Sequence, residues 1–302
     1  MTEIIDRTAP APIAFAGGTL DRADTIRTDP DRLAAAWADP RARILLLDGL
    51  DPLPGEGGLM QTAPVPHGAL LADHILLGLR PDGAPLFVSL HVELSDAPPQ
   101  FPPKVWTIVP LLAPDEAALF GTARSLVDWH RRHRFCAACG QPTAPVKAGW
   151  ARKCPSCETE HFPRTDPVVI MLAEHEGRVL IGRNGRFPPR RFSALAGFVE
   201  PGETIEEAVR RELFEEAGIR VGRVDYMMSQ PWPFPSQLMI ACVAQAQSDV
   251  ITLDETEIVE AMWVSRADVA KAFAEDEDAL FLPPSGIAVA HHMLKAWLER
   301  AP

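Results

Sequence analysis

Residues Gly197–Ile219 read GFVEPGETIEEAVRRELFEEAGI. The stretch holds seven glutamates and two arginines, with no lysine. A charge run of this kind is ordinarily a solvated helix face, but the arrangement here argues otherwise. Thr204 followed by Glu207 has the pattern of a capping box and predicts a helix start. At about 100° per residue, Ile205, Val209 and Leu213 form the buried stripe. Glu216 then falls between Ile205 and Val209 on the helix wheel, and Glu212 lies beside Ile205. Carboxylates meant only for water belong on the opposite side. Glu212, Glu215 and Glu216 are also spaced i, i+3 and i+4, where like charges repel. A positive centre is expected among them. Hard divalent cations such as Mg²⁺ and Mn²⁺ take carboxylate oxygens and bind substrate phosphates.

The order Gly197, five residues, Glu203, seven residues and then RELFEEAGI (211–219) resembles the signature of the Nudix hydrolases at every defining position. The resemblance implies a loop–helix–loop that holds divalent metal against a diphosphate, within an α/β/α sandwich. It implies that Glu212, Glu215 and Glu216 act as metal ligands or base, and that Glu203 and Arg211 form a salt bridge bracing the loop on the helix. Ala196 matches a backbone carbonyl ligand. Glu257, in DETEIVEAMWV, matches a further acidic residue that completes the metal site, with Glu255 and Glu260 as near rivals. The general base stays open among Glu215, Glu216 and Glu257.

The chain has 302 residues, enough for two domains with sizeable cores. Its 47% hydrophobic content is that of a folded globular protein. A formal charge of −12 makes it a poor nonspecific nucleic-acid binder. The opening MTEIIDRTAPAPIAFAGG lacks the apolar core of a secretory leader. No apolar run approaches the ~20 residues that span a bilayer. The expectation is a cytoplasmic protein with no membrane partner.

Five cysteines are informative through their spacing. CAAC at Cys136–Cys139 and CPSC at Cys154–Cys157 are fourteen residues apart. Two such knuckles predict a tetrahedral zinc site formed by Cys136, Cys139, Cys154 and Cys157. A reducing cytosol disfavours a disulfide. A redox pair is disfavoured because both motifs occupy Gly/Pro-rich turns rather than a βαβ helix start. Four protein ligands leave no open position, so the zinc is expected to be structural. Cys242, in QLMIACVAQA, reads as an inert core residue. From Arg124 to Arg164 there are eight Lys or Arg against three Asp or Glu. Solvation of a small zinc module and steering of a polyanionic substrate account for that excess equally well.

The fold class is read as α+β, with four segments. Residues 1–113 form a proline-rich, β-rich N-terminal domain, with RILLLD (43–48) as one strand run and HILLGLRPDGAPLFVSLHVE (74–93) as two strands around Pro81–Asp82–Gly83. Residues 114–133 form a connecting helix with Leu119, Ala123, Leu126 and Val127 on one stripe. Residues 134–162 form the ribbon. Residues 163–302 form the Nudix domain, opened by the hairpin DPVVIMLAEHEGRVLIGR. The last helix, SGIAVAHHMLKAWLER, places Ile287, His291, Leu294 and Leu298 at helical spacing. His291 and His292 read as packing and surface residues rather than metal ligands.

SQPWPFPSQLM (229–239) bears on the substrate. Pro231, Pro233 and Pro235 fix their own φ and push the preceding residue to an extended state. Trp232 and Phe234 are thereby held on stiff, non-helical backbone, suited either to stacking on a planar ring or to core burial. The stretch resembles the motif of NADH pyrophosphatases of the NudC type, a family that also carries a zinc ribbon before the Nudix domain. The resemblance implies a substrate-binding segment made of Gln230, Pro231, Trp232, Pro233, Phe234, Pro235, Ser236 and Gln237. Gln237 stands where the family usually has serine. Phe162 and Phe198 match opposite aromatic walls, and Ala290 matches a substrate contact. The implied activity is Mg²⁺- or Mn²⁺-dependent hydrolysis of the diphosphate of NADH or NAD⁺, giving nicotinamide mononucleotide (reduced from NADH) and AMP. Removal of NAD caps from RNA and a homodimer are implied as well. A Nudix hydrolase of ADP-ribose or a dinucleoside polyphosphate is the alternative, and the proline–tryptophan motif argues against it.

Overall fold

The computed structural model describes residues 13–93 and 103–300. Residues 1–12, within the stretch read for a leader, lie outside them. The chain forms two compact units. The first runs to Thr165 and also includes Pro231–Ser236; the second comprises Asp166–Gln230 and Gln237 onward. Among the described residues no helix is long and apolar enough to cross a membrane.

In the first unit, β1 (Arg43–Leu45), β2 (Thr62–Pro64), β3 (His74–Leu79) and β4 (Pro85–Ser89) form a sheet in the order β2–β1–β4–β3. Strands β3 and β4 are the expected pair around Pro81–Asp82–Gly83, and β1 covers the start of RILLLD. Ile44, Leu76 and Phe87 close one apolar cluster of this unit.

Helix α1 (Pro114–Arg132) departs from the expected single stripe. Leu119, Ala123, Leu126 and Val127 are buried, but so are Phe120, Gly121, Arg124, Asp128 and His130. A helix buried on nearly all sides lies within a core. Its buried charges are partnered: Glu116 accepts from the Met60 amide and from Arg80, and Asp128 pairs with Arg131 and Arg132. The ribbon follows as β5 (Ala144–Val146), β6 (Ala151–Lys153) and β7 (Glu160–His161). It packs on the N-terminal sheet through Trp150, whose indole N–H donates to the Leu76 carbonyl at 2.7 Å. At Gly149 (φ +88) a Cβ would meet the Ile75 side chain at 2.7 Å, so only glycine admits this approach.

The second unit is an α/β/α sandwich. Its strands are β8 (Asp166–His175), β9 (Arg178–Arg183), β10 (Leu195–Phe198), β11 (Val221–Trp232), β12 (Gln237–Ala246) and β13 (Glu260–Ser265). The sheet order is β11–β12–β8–β9–β13, with β10 paired to β8. The last two residues of β11, Pro231 and Trp232, belong to the first unit. Successive strand residues point to opposite faces, and the core divides accordingly. Val169, Met171 and Ala173 of β8, with Cys242 of β12, pack on α2 (Ile205–Ala217). Ile170 and Leu172, with Val243, pack on α3 (Arg266–Phe273) and α4 (Val289–Glu299). Cys242 is 1% exposed, as its apolar strand requires.

Helix α4 corrects one expectation. It begins at Val289, and its buried face is Ala290, Met293, Leu294 and Trp297. Ile287 is buried ahead of the helix, while His291 and Leu298 are only partly covered. His291 and His292 bond the carbonyls of Pro284 and Gly286, in keeping with a packing role.

Candidate active site

Helix α2 opens with the capping box read from sequence: Thr204 Oγ1 accepts from the Glu207 amide, and the Glu207 carboxylate accepts from the Thr204 amide. Ile205, expected in the buried stripe, is 37% exposed, because it lies in the first turn before the helix reaches the sheet. The buried face is instead Ala208, Val209, Glu212, Leu213, Glu216 and Ala217. Two carboxylates therefore share the inward face with the apolar residues.

Each carboxylate is placed by a distinct device. Glu212 lies against Gly197 of β10, where a Cβ would come within 1.9 Å of the carboxyl group. Glu216 is 6% exposed, and its Oε2 is buried without a hydrogen-bond partner. Burial, followed by the charges of Glu212, Glu257 and Glu215, pushes the Glu216 pKa up to about 8. Burial raises Glu212 as well. Glu215 faces outward. Glu257 lies on an exposed loop tied to the end of α2: the Thr252 amide donates to the Ala217 carbonyl and the Asp254 amide to that of Glu216. Of the three candidates for the fourth carboxylate, Glu257 is the one whose charge is felt by both Glu212 and Glu216. Glu260 is paired with Arg183 at 2.9 Å.

Arg211 organises the group and uses all five of its N–H donors. Nε and Nη2 grip the two oxygens of Glu203 at 2.6 and 2.8 Å. Nη1 donates to Glu212 and Glu215 at 2.8 and 3.0 Å, and Nη2 also donates to the Phe198 carbonyl at 2.8 Å. The guanidinium holds the Glu203 carboxyl down at about 2. The pairing of Glu203 with Arg211 was legible beforehand; the contacts to Glu212, Glu215 and Phe198 were missed. The signal for Glu215 was in the sequence, since Arg211 precedes it by four residues; Glu212 and Phe198 carried none.

These residues fit a divalent cation. A buried carboxylate oxygen with no partner is costly, Glu216 feels the charges of Glu212, Glu257 and Glu215, Glu212 and Glu215 share Arg211 Nη1, and a missing Cβ at Gly197 clears room for Glu212. The donor set is all oxygen, as hard cations require. Ala196, the expected carbonyl ligand, is half-buried on β10 beside Gly197.

The cysteines are gathered more tightly. Among the described residues, Cys136, Cys139, Cys154 and Cys157 are the group whose possible ligand atoms all lie within 4.8 Å of one another. The Sγ separations are 3.6 Å for Cys136–Cys157 and 3.5 Å for Cys139–Cys154. Tetrahedral Zn–S bonds of ~2.3 Å give edges of roughly 3.8 Å, so the set fits zinc. The knuckles are matched. Gly140 N donates to the Cys136 carbonyl, and Glu158 N donates to the Cys154 carbonyl. His161 Nε2 lies 3.2 Å from the Cys136 sulfur.

The ribbon is braced on α1 by His130, which sequence reasoning missed. His130 Nε2 bonds the Gly149 carbonyl at 2.6 Å, and Arg152 Nη1 approaches Nδ1 at 2.9 Å. Arginine only donates, so Nδ1 accepts and the imidazole is neutral. Burial lowers its pKa to about 4. The basic excess between Arg124 and Arg164 is largely engaged internally. Arg131 and Arg132 pair with Asp128, Lys147 with Glu160, and Lys153 with Glu158; Arg152 and Arg124 are buried.

The expected substrate residues are distributed over both units. Phe198 is 53% exposed in the second unit, and Phe162 is 57% exposed in the first, with Lys147 Nζ 5.0 Å from its ring. Trp232 and Phe234 are half-buried in the first unit, 5.3 Å apart, and each meets the Phe15 ring edge-on at 5.9 Å. Pro233 is buried beneath them, while Pro231 and Pro235 are exposed. Ser236 closes the segment, and Gln237 opens β12 opposite Asp166. Two residues are placed in the core. Gln230 is fully buried, its side-chain amide bonding the Ile287 carbonyl and the Val289 amide. Ala290 is 1% exposed.

Known proteins match this arrangement. The NUDIX domain family matches residues 163–283, and the NADH pyrophosphatase zinc ribbon domain family matches residues 131–162. NAD-capped RNA hydrolase NUDT12 of Homo sapiens is 41% identical over 236 residues, 75% of this chain and 50% of that protein. Nudix hydrolase 19, chloroplastic, of Arabidopsis thaliana is 39% identical over 63% of this chain and 53% of its own length. The chain thus spans about half the length of these two relatives. NAD-capped RNA hydrolase NudC of Mycobacterium bovis is 35% identical over 295 residues, 92% of each chain. With a capped, arginine-braced glutamate helix after a four-cysteine ribbon, and with this relative matched nearly end to end, the chain belongs to the Nudix hydrolases, in the family that joins an NADH-pyrophosphatase zinc ribbon to a NUDIX domain.

Proposed function

We propose that this protein hydrolyses the diphosphate of NADH and NAD⁺, and that it removes NAD caps from RNA. The observation that carries the reading is Glu216: a buried carboxylate oxygen without a partner, among acidic residues that Arg211 holds in place. The NAD-capped RNA hydrolases among its relatives support the choice of diphosphate.

Glu212, Glu215, Glu216, Glu257 and the Ala196 carbonyl would hold Mg²⁺ or Mn²⁺. Such a cation, when bound, neutralises diphosphate charge and lowers the pKa of water. Glu203 fixes Arg211, and Arg211 orients Glu212 and Glu215. Water adds to one phosphorus, the central P–O–P bond breaks, and a carboxylate among Glu215, Glu216 and Glu257 takes the proton. NADH and water then give reduced nicotinamide mononucleotide and AMP. Phe162, Phe198, Trp232 and Phe234 would receive the planar rings. Gln230 and Ala290 act from the core, by holding the start of α4. Residues 1–113 form the β-rich N-terminal domain, 114–133 the connecting helix, 134–162 the zinc ribbon and 163–302 the hydrolase domain. A homodimer, implied by resemblance to the family, and the cytoplasmic location expected from the sequence complete the reading.

The test offers the full chain NADH, NAD⁺, ADP-ribose, a dinucleoside polyphosphate and paired RNAs of one sequence, NAD-capped or triphosphorylated, with Mg²⁺ or Mn²⁺. Mass analysis should find nicotinamide mononucleotide (reduced from NADH) with AMP or 5′-monophosphate RNA, and the capped RNA should be cleaved preferentially. Equal cleavage of both RNAs, a preference for ADP-ribose, or release of free nicotinamide would overturn it.

A further inference from the structure

Arg124 projects from the middle of α1 and is 6% exposed. Its Nε donates to the Pro233 carbonyl at 2.8 Å, and its Nη1 donates to the Leu50 carbonyl. Its guanidinium carbon stands 4.7 Å from the centre of the Phe234 ring. One side chain thus touches the N-terminal region, the central helix and the Pro231–Ser236 segment, all within the first unit.

The segment needs such support. Three of its six residues are prolines without an N–H. A proline-rich turn has few donors to fasten itself, so its carbonyls must be held from outside. Burying a guanidinium against neutral carbonyls is expensive unless the geometry is well made. Arginine's planar fork meets that requirement with two fixed directions, whereas lysine offers a point charge on a flexible stem. Phe15 works alongside, meeting both Trp232 and Phe234 edge-on.

We infer that Arg124 is a positioning residue for recognition of the nicotinamide ring: it fixes Pro233 and Phe234, and through it the otherwise unassigned N-terminal region sets substrate selectivity. The inference rests on the proposal that Trp232 and Phe234 receive a planar ring of the substrate, and takes that ring to be the nicotinamide. It gives Arg124 no part in cleaving the diphosphate.

The experiment compares NADH with ADP-ribose, which has the same diphosphate and lacks the nicotinamide ring. Wild-type protein, Arg124→Lys and Phe15→Leu are assayed for KM and kcat on NADH and for the inhibition constant of ADP-ribose against NADH hydrolysis. A lysine at 124 lacks the planar fork that fixes both carbonyls in direction, so KM for NADH should rise about tenfold. The kcat and the ADP-ribose constant should stay within about twofold. Phe15→Leu should shift the same quantity without touching a charge, and it carries the test if Arg124→Lys does not fold. Proportional weakening of both ligands, or unchanged NADH selectivity in both variants, overturns the inference alone. A wild type that binds ADP-ribose as well as NADH overturns the nicotinamide reading itself, before any variant is made.

Discussion

The cysteine cluster and the glutamate cluster are both sets of four side chains suited to a metal, yet they are built on opposite plans. The cysteines come from two short knuckles whose backbones repeat one pattern, and their sulfurs are nearly in contact. The glutamates come from one helix and a loop, and their charges repel. They are kept in place by Arg211 and by the space at Gly197. A closed thiolate tetrahedron leaves no position for a substrate, so its role is to hold a fold. An open carboxylate group, part buried and part exposed, can share a cation with a phosphate. The difference separates stability from chemistry, and substitutions can probe the two separately.

The largest effect is expected at the closed cluster. Cys154→Ser should lose zinc, which is normally bound at about one ion per Cys₄ site, and the ribbon should unfold. Structural zinc contributes on the order of 10 kcal/mol to small zinc domains. Elemental analysis and thermal denaturation check this; a zinc-free wild type of full stability would refute it. At the open cluster, Glu216→Gln keeps shape and relieves buried charge. The fold should survive or gain stability, while hydrolysis falls on the order of a thousandfold, ~4 kcal/mol in barrier. Near-normal turnover would remove Glu216 from the site.

The brace of the closed cluster has its own signature in pH. The unfolded chain protonates His130 near its ordinary value of about 6.5, whereas the folded chain resists until about 4. Stability from this group is complete above pH 6.5 and declines as pH falls to 4, by about 3 kcal/mol. Denaturant unfolding at steps from pH 7 to 4 should show His130→Gln with a shallower slope than wild type by that amount. Parallel slopes would show that the imidazole is not held neutral. The smallest effect tests the space beside Glu212. Gly197→Ala inserts a methyl where the carboxyl lies. Activity should fall on the order of a hundredfold, with zinc content unchanged. A fully active variant would show that Glu212 can move freely.

Local patterns carried most of what could be read beforehand. The capping box and the two knuckles depend on residues close in sequence, and each forms as its spacing requires; the Glu203–Arg211 pair, implied by the family resemblance, forms too. The hairpin read in DPVVIMLAEHEGRVLIGR forms as β8 and β9; that β8 packs on both of its faces was not read. What could not be read depends on distant partners. His130 looked like an ordinary member of a helix end, and Arg124 like one more charge in the basic excess from Arg124 to Arg164. Their acceptors lie at Gly149, Leu50 and Pro233, so no local rule marks them. Ile205 and the stripe of α4 were misplaced because periodicity fixes a face but not where a helix begins to touch its sheet. Gln230 reads as part of a substrate motif, while its side chain is committed to α4.

Pro231–Ser236 has a consequence for how the protein is made. The ribosome delivers the chain from its N-terminus at ~5–20 residues per second. When Thr165 emerges, the first unit still lacks the turn that Phe15 and Arg124 enclose. That turn is synthesised only after roughly 3–13 s more, behind β8 to β11. Until then Phe15 has Phe120 but neither Trp232 nor Phe234 to cover it, and Arg124 has the Leu50 carbonyl but not that of Pro233. A nascent chain cannot finish its first unit and then begin the second. A gene fragment ending at residue 165 encodes a unit missing its own last piece, and such a product should be caught by chaperones rather than accumulate as a folded domain.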